Sequence, residues 1–104
     1  MGLIFTTHDL TISEDRLQLS DQSSARTMER RAPIPFSSRD SLVARPEALA
    51  SLLDAMVREF VGRRRFFIIP RINVRFSRAM PEAAAREALR SVLEPLGYVR
   101  IRGL

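Results

Sequence analysis

The chain has 104 residues, 17 basic and 12 acidic, a net charge of +5 and a hydrophobic share of 45%. That share fits one globular domain spanning residues 1–104 and is too high for a disordered chain. Without Cys there is no disulfide, thiol nucleophile or thiolate metal site, and no apolar run approaches the ~18 residues of a membrane span.

Every basic residue is Arg. Arg offers planar forks for carboxylate or phosphate, and it supplies no amine for Schiff-base or base chemistry. Residues 1–52 hold six Arg against seven acids, and residues 53–104 hold eleven against five. Residues 58–78 alone carry seven Arg and a single acid, Glu59. A segment of that density attracts anions. The opening residues have no basic head before their short apolar patch, which predicts a cytoplasmic protein rather than a secreted one.

In chain order, residues 2–6 form a short β-like run, and Thr7 and His8 read as a turn near water. Residues 9–13 alternate polar and apolar as a half-buried strand does, and residues 16–20 alternate again after a solvated turn at Glu14 and Asp15. Three short strands in a meander are expected. Residues 21–41 are polar and aperiodic. They read as a long loop with an extended piece near 34–36, because Pro33 and Pro35 exclude helix. Ser37, Ser38 and Ser41 show no nucleophile motif.

Pro46 and Glu47 suit the first turn of a helix over 46–61. Leu49, Leu52, Leu53, Met56, Val57 and Phe60 make its apolar stripe, and Gly62 stops it. Arg63, Arg64 and Arg65 follow, as a helix end or an anion contact. Phe66, Phe67, Ile68 and Ile69 form a bulky run ended by Pro70, which suggests an edge or an exit from the sheet. Four such residues cannot share one face of a strand. The run is expected to pack under the 21–41 loop against Ile34 and Phe36, or to form a homodimer contact. Residues 71–76 alternate as a strand. A second helix over 81–94 carries Ala85, Ala88, Leu89, Val92, Leu93 and Leu96, with Pro95 and Gly97 closing it. Residues 98–102 make the last strand.

The predicted fold is an α/β (α+β) two-layer sandwich of order βββαβαβ, with a mixed five-stranded sheet ordered 3-2-1-4-5. Right-handed crossovers then place both helices on one face. Arg71, Asn73, Arg75, Arg100 and Arg102 would line the uncovered face. This is the ribonuclease H-like or actin-like core topology.

Residues 39–44 and 52–61 resemble the segment and first-subdomain helix of the MreB-type bacterial actin-like cell-shape proteins. Residues 71–76, 82–96 and the closing strand are similar to the strand-helix-strand that follows in that family. The resemblance covers most of this chain and about the first third of a family member. It implies a truncated actin-like subdomain linked to cell shape or filament assembly. The family's Asp and Gly-rich phosphate turn is replaced here by Phe5, Thr6, Thr7 and His8, so no nucleotide, metal or other cofactor is expected, and no catalysis.

Two functions follow. The first is a non-catalytic protein-interaction module that binds a protein partner or itself. The second is an Arg-rich nucleic-acid or anion-binding domain, which ranks lower because aromatic residues are not interleaved with the Arg. The candidate contact residues are Arg63, Arg64, Arg65, Phe67, Ile69, Arg71, Arg75, Arg100 and Arg102.

Overall fold

A computed structural model describes residues 3–63 and 67–104. Its elements are β1 (Ile4–Ser13), β2 (Arg16–Asp21), β3 (Thr27–Arg31), α1 (Pro46–Val61), β4 (Ile68–Phe76), α2 (Ala83–Leu93) and β5 (Arg100–Arg102). The strands form one mixed sheet of order β3-β2-β1-β4-β5, antiparallel across β1–β2 and β2–β3 and parallel across β1–β4 and β4–β5.

The expected order of strands is therefore the observed one, filled by different segments. Residues 2–6 and 9–13 are not two strands, because β1 runs unbroken through Thr7 and His8. Thr6, His8, Leu10 and Ile12 are all buried, so one period-two face passes through the supposed turn. The third strand comes instead from residues 27–31, inside the expected loop. β3 is an edge strand that places only Met28 and Arg30 opposite the inward Leu19 and Leu17. Arg30 then reaches Glu59 on α1 at 3.0 Å.

Pro70 is also inside β4, paired beside Thr6, rather than at an exit from the sheet. Its carbonyl accepts the N–H of Val99, so its ring nitrogen faces the β5 side just where that strand begins. No ladder donor is lost there, which is why Pro is tolerated.

α1 follows its sequence signals closely. Pro46 opens it, and Gly62 ends it at φ 55°, a left-handed conformation that costs glycine little. Leu49, Leu53, Met56, Val57 and Phe60 are its buried stripe. α2 begins two residues later than expected and buries Ala85, Leu89 and Leu93. These residues join Leu10, Ile12, Leu17, Leu19, Ile72 and Val74 of the sheet in one hydrophobic cluster, and α1 packs on α2. Fully burying each large apolar side chain contributes about 1.5–3 kcal/mol.

The long connection between β3 and α1 is held from the β1–β2 hairpin. Asp15, at φ 52°, takes the backbone N–H of both Phe36 (2.9 Å) and Ser37 (2.8 Å) on one carboxylate oxygen. Its own N–H donates to Ser37 Oγ, and its carbonyl accepts from Ala32. Glu14 and Asp15 form the expected turn, but Asp15 is half-buried and serves as a loop anchor. Phe36 is seated in the core at this point, fully buried.

Candidate functional site

One side of the sheet has no buried residue. The inward positions of β1 are the even ones, so Phe5, Thr7, Asp9 and Thr11 face the other way, and none of them is buried. The parallel register sets Ile69, Arg71, Asn73 and Arg75 beside those four. β5 adds Arg100 beside Arg71 and Arg102 beside Asn73. Five of the candidate residues, Ile69, Arg71, Arg75, Arg100 and Arg102, are therefore brought onto one half of one sheet face.

The charges on this half are unbalanced. Asp9 is its acid, and its two oxygens already accept from Asn73 Nδ2 (3.2 Å) and Gln22 Nε2 (2.9 Å). The Arg71 guanidinium lies over the Phe5 ring, 5.3 Å from its centre. Its Nε is shielded and has no hydrogen-bond partner. Among the described residues, ion pairs form at Arg16, Arg30, Arg58, Arg78 and Arg90, and at none of Arg71, Arg75, Arg100 and Arg102. Four planar cations without carboxylate partners, arrayed on one sheet face, suit carboxylate or phosphate groups.

An apolar rim adjoins this face at the start of the parallel strands. Leu3, Ile4, Phe5, Phe67 and Val99 are each 48–63% exposed. The backbone joins them: Ile4 N–H donates to Phe67 O, and Val99 N–H donates to Pro70 O. Phe67 does not pack under the loop near Ile34 and Phe36. Ile34 is exposed beside α1, in a groove lined by Ala48, Leu52 and Ala55, and Phe36 is buried at the hairpin. Arg63 is exposed just past α1, away from the sheet face, beside Pro95 and Leu96. Arg64, Arg65 and Phe66 lie outside the described residues.

Beneath the rim is a cleft of about 280 Å³ lined by Ile4, Thr6, His8, Asp21, Arg26 and Phe67, among others. His8 is 2% exposed, not a turn residue near water. Its Nδ1 and the Tyr98 hydroxyl share a hydrogen bond of 2.7 Å, and its ring meets Phe60 edge-on at 5.2 Å. Burial lowers the His8 pKa, and Arg26 adds to this against the opposing charges of Asp21 and Asp9. Burial and the charge of Asp21 push Tyr98 up.

Burial would also raise Asp21, but donors to its carboxylate outweigh that and hold it at about 2. Asp21 Oδ1 accepts the Thr6 hydroxyl (3.0 Å), the Ser23 N–H (2.9 Å) and the Ser23 hydroxyl (2.8 Å). Arg26 is committed as well, donating to Phe60 O and stacking 4.7 Å from that ring's centre. Both hydroxyls donate to a carboxylate and neither is bonded to His8, so the cluster satisfies itself and ties strand ends to α1. Among the described residues, no group of three His, Asp or Glu could hold a metal ion, and no helix is long and apolar enough to cross a membrane.

Sequence reasoning missed Phe5, Ile4, Val99 and the Thr6–Asp21 pair. The available signal was the even-numbered alternation of residues 6, 8, 10 and 12, which a polar His8 obscured. No protein-family model matches the chain, and no curated protein matches it in sequence.

Proposed function

We propose that this chain is a cytoplasmic, non-catalytic protein-interaction module built on an actin-like core and serving cell shape or filament assembly. The observation that carries the reading is the uncovered sheet side, where four unpaired Arg adjoin an exposed apolar rim. A sheet normally buries one face and can leave the other in water, yet an apolar rim of this kind marks a contact surface. Both helices lie on one side in this reading. The β3-α1-β4 and β4-α2-β5 crossovers step in the same direction along the sheet, and right-handed connections then stack on the same face. The shared hydrophobic cluster of α1, α2 and the inward strand residues supports it.

The reading is tested by affinity capture from native lysate with and without nuclease, using wild type and an Arg71→Glu/Arg75→Glu variant. A protein retained after nuclease treatment and lost with the variant is expected. Retention that vanishes with nuclease overturns it in favour of the second reading, a nucleic-acid or anion binder. That alternative is favoured by one observation, the exposed Phe5 ring with Arg71 over it. It ranks second because single-strand surfaces stack successive bases on several aromatics.

A further inference from the structure

Resting on the interaction reading above, we propose that the partner contributes an extended segment in which acidic and apolar residues alternate, and that this segment adds a sixth strand to the open edge of β5. β5 is the last strand of the sheet. The Val99 N–H is turned inward to Pro70 O. Backbone groups alternate along a strand, so Arg100 and Arg102 direct their N–H and C=O outward, away from β4. Their side chains stand on the open face beside Arg71 and Asn73. An added strand would therefore find backbone partners at the same two residues whose guanidinium groups are exposed and free of ion pairs. Its own side chains alternate too: every second one would meet Arg100 and Arg102, and those between would lie on the side of Val99 and Ile101.

The other edge offers no such match. β3 carries Glu29 paired to Arg16 at 3.0 Å and Arg30 paired to Glu59 at 3.0 Å, which leaves Arg31 as its one cation without an ion pair among the described residues, beside an acid that would repel an acidic strand. A Cβ on Gly103 would clash with the Val74 carbonyl oxygen, so the backbone there hugs β4 rather than folding over the edge. A second copy of this chain is a poor occupant, since its β5 would set Arg against Arg. Nucleic acid is a poorer fit at this edge, since Val99 beside it is aliphatic and the exposed rings, Phe5 and Phe67, belong to β1 and to the residue leading into β4.

The test is an NMR titration of the isotope-labelled full chain with acetyl-Glu-Val-Glu-Val-Glu-Val-amide at low salt. Shifts together with slowed amide exchange at Arg100 and Arg102, and not along β3, are expected. An Arg100→Glu/Arg102→Glu variant should lose about tenfold or more in affinity, two exposed charge pairs being replaced by repulsion. The same variant should gain binding to acetyl-Lys-Val-Lys-Val-Lys-Val-amide, which shows that it is folded. The same Glu-Val peptide methylated at every backbone amide nitrogen, equally acidic but without donors for strand pairing, should bind weakly. Equal binding of the methylated peptide, unprotected Arg100 and Arg102 amides, or stronger binding of oligothymidylate overturns the inference. If no peptide binds while nuclease-resistant capture still depends on Arg71 and Arg75, the acidic-strand inference fails and the interaction module stands.

Discussion

His8 and Tyr98, separated by 90 positions in the chain, share a buried hydrogen bond of 2.7 Å that fastens β1 to the segment entering β5. They are the chain's one His and one Tyr. Removing the hydroxyl strands a buried ring nitrogen. Tyr98→Phe should therefore cost about 1–3 kcal/mol in urea unfolding while leaving the fold intact. An unchanged midpoint would show that the bond contributes nothing.

The same pair sets a pH dependence. His8 titrates below its ordinary 6.5 because the folded state buries the neutral ring. As pH falls through 6.5 the unfolded chain takes up a proton first, so stability is full above that pH and declines below it. Asp21 shifts from 3.8 to about 2, so its contribution holds above 3.8 and is lost as pH falls toward 2. Urea midpoints should be flat between pH 7 and about 9, slope down below 6.5, and fall again below 4. His8→Phe should remove the upper slope and leave the lower one. A flat profile between pH 7 and 5 in the wild type would contradict this.

Asp15 is expected to be the most sensitive polar position outside the core. Asp15→Ala releases the N–H groups of Phe36 and Ser37 together and should cost about 2–3 kcal/mol. Asp15→Asn keeps an acceptor and tolerates the left-handed backbone, so it should retain most of that stability. Equal loss in both variants would place the effect in charge rather than in the two hydrogen bonds.

Gly103→Ala should loosen the chain end. Its φ of 92° is strained for any side chain, and the new methyl would clash with the Val74 carbonyl oxygen. Hydrogen exchange at residues 101–104 should accelerate while β1 and β2 stay protected. Unchanged exchange would mean that β5 is held without this close approach.

The parts of the fold legible in the sequence are those where one physical signal acts alone. Pro46, Gly62 and the stripe from Leu49 to Phe60 specify α1, and the alternation of Arg71 to Phe76 specifies the open face of β4. The misread parts are those where a tertiary partner changes what a residue does. His8 reads as polar until Tyr98 supplies its hydrogen bond. β3 reads as loop because four of its five residues are exposed and Arg30 is tied to α1 only through Glu59. Pro70 reads as a strand end until β5 is seen to begin beside it. The Arg half of the candidate site was legible from alternation, whereas Phe5 and Val99 emerged only with the register.

The most direct measurement of the central claim is site-specific photo-crosslinking in native cells. A crosslinker replaces Thr7, in the middle of the open face beside Arg71, and in a control it replaces Ala84, exposed on α2. The account predicts a discrete protein adduct from position 7 that survives nuclease and is absent from position 84. Adducts to nucleic acid alone at position 7, or the same protein adduct from both positions, would contradict it.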